Sequence, residues 1–190
     1  MHSRWNKLSL ALGVCLLSAC GPTQTVEDGI LQIAVIPKGT THEFWRSIHA
    51  GAKKAEQELV AEGQKVAIIW KGPLKEDDRD QQIQLVENFT TRRVDGMVLA
   101  PLDAQALVRR VENAQDSGIP VVIIVSGLQS EKYVSFVATD NLKGGEMAGK
   151  FMAEQLGGKG KVILLRYAVG SASTENRENG FLKALEAFPE

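Results

Sequence analysis

The sequence Gly-Ile-Pro-Val-Val-Ile-Ile-Val at residues 118–125 is the clearest indication of fold in this chain, because almost every residue in it is apolar. A strand with apolar side chains on both faces is typical of a buried parallel sheet. Before this stretch, apolar residues recur at helical spacing over residues 104–115, and Asp103 is a candidate N-cap for that helix. The helix is predicted to end at the turn Asp-Ser-Gly. The stretch therefore predicts a helix followed by a fully buried parallel strand.

The same alternation of helix and strand extends along the chain from residue 30. Strands are predicted at residues 30–36, 65–70, 94–100, 119–125, 133–139 and 162–167. Helices are predicted at residues 43–62, 104–115, 142–155 and 174–187, and after the acids at residues 77–80. Short turns of Gly, Pro and Asp separate the elements. The fold class predicted is α/β, with a doubly wound parallel sheet.

Composition excludes several other classes of protein. The chain has 190 residues, a formal net charge of −1, 44% hydrophobic residues and 24% charged residues, which is ordinary for a globular protein and argues against disorder or a coiled coil. The near-neutral balance provides no basic footprint for nucleic acid. Two cysteines are too few for a disulfide scaffold.

The N-terminus has the three-part design of a secretory signal. Arg4 and Lys7 precede an apolar run at residues 8–17, and small residues follow it up to Cys20. The Leu-Ser-Ala-Cys ending also resembles the lipobox of bacterial lipoproteins, in which cleavage precedes the cysteine and lipid is attached to it. We expect a signal peptide at residues 1–19, a lipid anchor at Cys20 and a flexible tether at residues 20–29. The alternative is a plain signal peptide with an incidental cysteine.

A ligand site is predicted where the first strand leads into the first helix. In doubly wound sheets, ligands bind outside the carboxyl ends of the strands. Lys38, His42, Phe44 and Trp45 cluster in that loop. Adjacent aromatic rings suit stacking on the apolar face of a sugar, while polar neighbours orient it. The alternative is that Phe44 packs in the core and Trp45 covers the start of the helix.

Five separated segments resemble type I periplasmic binding proteins of the ribose-binding kind. They are IAVIPKGTTHEFW (33–45), VDGMVLAPLD (94–103), GIPVVII (118–124), VATDNLKGG (137–145) and STENRENGF (173–181). The resemblance implies a first α/β lobe at residues 30–136, the start of a second lobe at residues 137–190, and closure on ligand by a hinge.

The resemblance also implies a function and partners. The expected protein is a lipid-anchored receptor in the bacterial periplasm or on the outer face of the cell membrane, which captures a small solute, a sugar or sugar derivative, for an ABC permease. A sensor that docks on a membrane kinase or chemoreceptor is the second candidate. Lactose-repressor-type regulators are related, but an export signal occupies the place of their DNA-binding domain.

Site residues follow from the resemblance position by position. Phe44 and Trp45 match the family's ring-stacking aromatics, His42 matches a polar contact to a hydroxyl, and Arg177 matches an arginine that donates from the second lobe. Asp140 lies where the chain crosses toward the second lobe, where a capping or hinge role is favoured over ligand contact, and the same holds for Asp103. The candidate ligand-binding residues are Lys38, His42, Phe44, Trp45, Asp103, Ser126, Asp140 and Arg177.

Three departures from the family pattern concern the ligand. Val125 replaces a typical aspartate, Ala100 replaces an asparagine, and Lys38 replaces a small polar residue. Loss of a carboxylate and gain of an ammonium change the hydrogen-bonding groups of the site. We expect Lys38 and Arg177 to favour a ligand with an anionic or strongly accepting group, such as an acidic or phosphorylated sugar.

A further departure is length, because a receptor of this kind needs a full second lobe. The strand at residues 162–167 would have few neighbours, so that its apolar residues are left exposed. We expect the sequence to be a fragment or truncated product of a longer receptor. The alternative is a dimer that covers the half-lobe.

An enzyme is not expected, since the chain carries no catalytic motif. There is no Gly-x-Gly-x-x-Gly after the first strand and no Gly-x-Ser-x-Gly elbow. His42 and Glu43 begin like a zinc-binding helix motif, but Arg46 stands where the second histidine is required. No cofactor or metal is predicted.

Overall fold

The computed structural model describes residues 29–188. The predicted signal peptide, Cys20 and all of the predicted tether except Gly29 lie outside the described residues. Between residues 29 and 188, no helix is long and apolar enough to cross a membrane.

Five parallel strands form one sheet, in the order β2-β1-β3-β4-β5. The strands are β1 (Leu31–Ile36), β2 (Val66–Trp70), β3 (Gly96–Leu99), β4 (Val121–Ile124) and β5 (Ser135–Val137). The helices are α1 (Glu43–Ala61), α2 (Arg79–Thr91), α3 (Val108–Asp116), α4 (Asn141–Gln155) and α5 (Ala172–Leu185). The predicted α/β class with a parallel sheet is confirmed.

The core lies between one face of the sheet and helices α2 and α3. Alternate strand residues point into it, and α2 contributes Val86 and Phe89 while α3 contributes Val111. The strand residues buried there include Ile36, Leu99 and Ile123. Burying each such side chain contributes about 1.5–3 kcal/mol. The core thus fixes the strands in register, and the loops at their carboxyl ends emerge along one edge.

Helices α4 and α5, with the segment between them, form a separate α4–α5 unit at residues 138–188. The two helices approach so closely that their contact requires glycine. A Cβ atom on Gly145 would lie 2.0 Å from the carbonyl oxygen of Arg177, and one on Gly180 would lie 2.1 Å from that of Leu142. No other residue fits at these positions without separating the helices.

The predicted strand at residues 162–167 is wrong. These residues form no strand, and Ile163 and Leu165 are each 86% exposed. A strand needs a neighbour that accepts its ladder hydrogen bonds, and within residues 29–188 the sheet ends at β5. Instead, Tyr167 N donates to the carboxylate of Glu178 on α5, and an apolar cavity of about 480 Å³ remains between the segment and the two helices.

Asp103 does not cap the helix that it was expected to begin. Its Oδ1 accepts hydrogen bonds from Gln105 N and Ala106 N, both at 2.8 Å, and so caps a turn. Helix α3 starts only at Val108, and the backbone N–H of Ala104, in the preceding turn, donates to Gly170 O in the α4–α5 unit.

The close contact between α4 and α5 at their glycines is testable by substituting two adjacent residues of α4. Gly145→Ala should lower the free energy of unfolding by about 1–3 kcal/mol, because the added methyl group meets rigid backbone. Gly144→Ala is the matched control, since nothing lies within 4 Å of the added Cβ, and it should stabilise the helix by about 0.5–1 kcal/mol. Urea denaturation measures both, and equal unfolding free energies for the two variants would contradict the close approach.

Candidate ligand-binding cleft

A cleft lies where the carboxyl ends of the strands face the N-terminus of α5. Loops after β1, β2, β3 and β4 form one wall, and residues 167–177 form the other. The cavity between them has a volume of about 130 Å³, which is below the range of pockets for drug-sized ligands and suits a small solute. Its lining includes Lys38, Phe44, Trp45, Glu76, Tyr167 and Arg177.

The fully buried side chain of Gln82 on α2 holds the first wall in place. Its Nε2 donates to Pro37 O at 3.0 Å and to Ala100 O at 2.9 Å, and its Oε1 accepts from Leu102 N at 2.8 Å. One amide therefore joins the ends of β1 and β3. Gln82 was not predicted as a site residue, although a glutamine at helical spacing from Val86 was the available signal.

The two aromatic residues of the first loop have different environments. Trp45 is 2% exposed and its Nε1 donates to Glu76 Oε1 at 2.6 Å, whereas Phe44 is 44% exposed. Their rings meet edge to face, with centroids 4.9 Å apart. The alternative, in which Phe44 packs in the core, is not observed. Trp45 is fixed by packing and its hydrogen bond, so that Phe44 rests on a rigid support.

Lys38 crosses the cleft. Its ammonium group is buried, and Nζ donates to Ser171 Oγ at 2.7 Å and to Ser173 Oγ at 3.2 Å at the start of α5. The pKa of Lys38 is lowered to about 8: burial lowers it, the nearby carboxylate of Glu76 offsets part of that shift, and the charge of Arg177 makes a smaller contribution that lowers it. A lysine therefore joins the strand wall to the helix wall through neutral hydroxyl groups.

Glu76 and Tyr167 form a second contact across the cleft. Tyr167 Oη donates to Glu76 Oε2 at 3.3 Å. Burial, followed by the nearby carboxylate of Glu76, raises the pKa of the Tyr167 phenol. The sequence analysis singled out neither residue, nor Ser171 and Ser173, because such contacts join positions that are far apart in the chain.

Arg177 is tied to the end of β4 through Asn141. Arg177 Nε donates to Asn141 Oδ1 at 2.8 Å, and Asn141 Nδ2 donates to Val125 O at 3.3 Å. Val125 has a φ of 66°, which is strained for a β-branched residue. The turn around it leaves the buried hydroxyl of Ser126 accepting from Ser173 N at 3.1 Å.

The structure brings only part of the predicted set into the cavity. Lys38, Phe44, Trp45 and Arg177 line it together. The other candidates have structural partners. His42 caps α1 through Phe44 N, Asp140 caps α4 through Lys143 N, Asp103 pairs with Arg79 at 3.2 Å, and Ser126 lies behind the lining. Ligand contact by these four residues stays a prediction.

No metal site is indicated by the part of the chain that the structure describes. Within residues 29–188, no three His, Cys, Asp or Glu side chains are grouped so as to hold a metal ion. The cleft combines aromatic rings, hydroxyl groups and charged hydrogen-bond donors, a set of groups that binds polar organic molecules.

The family model described as a periplasmic binding protein domain matches residues 33–190. The chain belongs to the periplasmic binding protein family. The resemblance to type I, ribose-binding members is confirmed by its relatives. A ribose import binding protein of Bacillus subtilis is 32% identical over 180 residues, a match that covers 90% of this chain and 57% of that protein.

Solved structures of periplasmic binding proteins agree with the sequence relatives. An ABC transporter solute-binding protein from Agrobacterium vitis with bound D-fucose has a TM-score of 0.77 and 37% identity, covering 82% of this chain and 53% of that one. The fructose-binding periplasmic domain of a hybrid two-component system has a TM-score of 0.71 and 27% identity, covering 84% and 51%. The chain thus spans about half the length of the relatives that it matches.

Proposed function

We propose that this chain captures a sugar outside the cytoplasm as part of a substrate-binding protein for an ABC importer. The observation that carries the proposal is the exposed ring of Phe44, which rests on the anchored Trp45 and lines a small cavity with Lys38 and Arg177. An apolar ring face beside charged donors matches the alternation of C–H and hydroxyl groups on a sugar. The sugars named for the relatives support this ligand class.

Capture would work by closure of the α4–α5 unit on the sheet. Lys38 and Glu76 each contact the α4–α5 unit across the cleft. A ligand that contacts both Phe44 and Arg177 would bind the closed arrangement more tightly than the open one. This difference in binding free energy would shift the conformational equilibrium towards the closed arrangement. The role is that of a binding protein rather than an enzyme.

A sensor is the second candidate function. The likeness to the periplasmic domain of a hybrid two-component system supports it. Both functions use the same closure and differ in the membrane partner, an ABC permease or a sensor kinase. Uptake of radiolabelled sugar by a strain that lacks the gene separates them, because uptake falls only if the protein serves a permease.

We further propose that Cys20 carries a lipid anchor. The apolar run at residues 8–17 followed by Leu-Ser-Ala-Cys supports cleavage before Cys20. The protein would then be held at the outer face of a membrane, with residues 20–29 as its tether.

Sugar binding is tested by isothermal titration calorimetry with ribose, allose, fucose and their acidic counterparts. Phe44→Ala should weaken the best-binding sugar by about tenfold or more, because a stacking surface is lost. Phe151→Ala is the matched control: Phe151 is 64% exposed on α4, outside the cleft, and its loss should leave the affinity unchanged. Equal affinities for both variants, or no binding of any sugar by the unaltered chain, would contradict the proposal.

The anchor is tested by the intact mass of protein extracted from its host's membranes. The expected mass is that of a chain beginning at Cys20 plus acyl groups, and Cys20→Ala should abolish the added mass. A chain of unmodified mass would refute the anchor.

A further inference from the structure

Lys38 is a buried cation without a buried anion. Its side chain is 5% exposed and its hydrogen bonds go to two serine hydroxyls. Among residues 29–188, no carboxylate lies within ion-pair distance of Nζ. The facing carboxylate, Glu76, is already bonded through both oxygens, to Trp45 Nε1 and Tyr167 Oη. Glu76 lies near enough to offset part of the cost of burying the ammonium, but a buried charge that no carboxylate contacts retains part of its desolvation cost.

A second cation lines the same cavity. Arg177 donates through Nε to Asn141, and the described residues give its two terminal amino groups no hydrogen-bond acceptor. Ser171 and Ser173 add hydroxyl groups, and the single carboxylate of the lining, Glu76, already accepts one hydrogen bond on each oxygen. The cavity therefore has two cationic donor groups and only one anionic acceptor group. The hydroxyl groups of a neutral sugar donate as well as accept hydrogen bonds, and they carry no negative charge to pair with the two cations.

We propose that the cleft selects a sugar bearing a carboxylate, that Lys38 determines this selectivity, and that Arg177 is the second cation facing the ligand. The inference rests on the proposed sugar-binding function and names its ligand class. When Lys38 is protonated, Lys38, Arg177 and Glu76 together carry a charge of +1, which matches a single carboxylate. A phosphate ester carries a charge of about −1.5 to −2, which is larger than the positive charge of the cavity. The cavity of about 130 Å³ also favours the smaller group.

Binding of a carboxylate has a signature that a neutral sugar lacks. With a pKa of about 8, Lys38 is half protonated at pH 8 in the free protein. A nearby anion favours the charged form and raises this pKa, so that binding takes up about 0.5 proton per site at pH 8. Tyr167 does not compensate, since its raised pKa keeps the phenol protonated at pH 8, and an arginine side chain does not exchange its proton in this range.

The test compares D-galacturonate with D-galactose, and D-glucuronate with D-glucose, by calorimetry of the full chain at pH 8. Each member of a pair differs from the other only in a carboxylate against a hydroxymethyl group. Titration in phosphate and in Tris, whose ionisation enthalpies differ, gives the number of protons taken up. The acidic member of at least one pair should bind about tenfold more tightly or better, with uptake near 0.5 proton.

Two variants test whether Lys38 causes the preference for acidic sugars. Lys38→Met keeps the apolar stem and removes the charge, and it should abolish both the preference and the proton uptake. Lys71→Met, at an exposed lysine after β2, is the matched control and should retain both. The number of protons taken up on binding is measured with the unaltered protein, so this part of the test does not require either variant to fold.

The outcomes separate this inference from the proposed function. Neutral sugars that bind as tightly as acidic ones, or acidic sugars that bind without proton uptake, would overturn the role of Lys38 and leave sugar binding intact. Failure of every sugar to bind would overturn both.

Discussion

The contact between the Lys38 ammonium and the start of α5 is the interaction on which the cleft depends. A lysine at the end of β1 reaches two serine hydroxyls more than 130 residues away, and thereby draws the α4–α5 unit onto the edge of the sheet. Around it lie the Glu76–Tyr167 bond and the bond from Ser173 N to Ser126. Because the ammonium is removed from water, the two serine hydroxyl groups at the start of α5 supply the hydrogen bonds that it needs.

The parallel sheet explains why these groups meet at one edge. Every strand in β1–β5 runs in the same direction, so each following loop begins on the same side of the core. Gln82 then ties two of those loops together from beneath. The strands position the side chains of one wall, and the α4–α5 unit meets them through a small number of hydrogen bonds rather than through a shared core. This division suits capture and release of a small ligand.

Much of this arrangement could be predicted from sequence because its causes are local. Apolar runs such as residues 119–125 marked the strands, and Asp140 capped α4 as its position before Leu142 indicated. Non-local contacts could not be predicted in this way. The segment at residues 162–167 has the composition of a strand, yet it forms none for want of a neighbour. Asp103 has the chemistry of a helix cap, yet it caps a turn that bonds to Gly170 in the α4–α5 unit, and α3 begins only at Val108.

The most direct test of the account is the pKa of the Lys38 side chain in the ligand-free chain. Lysine labelled with ¹³C and ¹⁵N allows each ammonium group to be titrated by NMR, and the resonance that disappears in Lys38→Met identifies the one of interest. The account predicts a midpoint near pH 8 for Lys38, well below the value of about 10.4 for a lysine in water. A midpoint near 10.4 would mean that Lys38 is solvated, and that the cleft is not closed by the contact from which its selectivity was inferred.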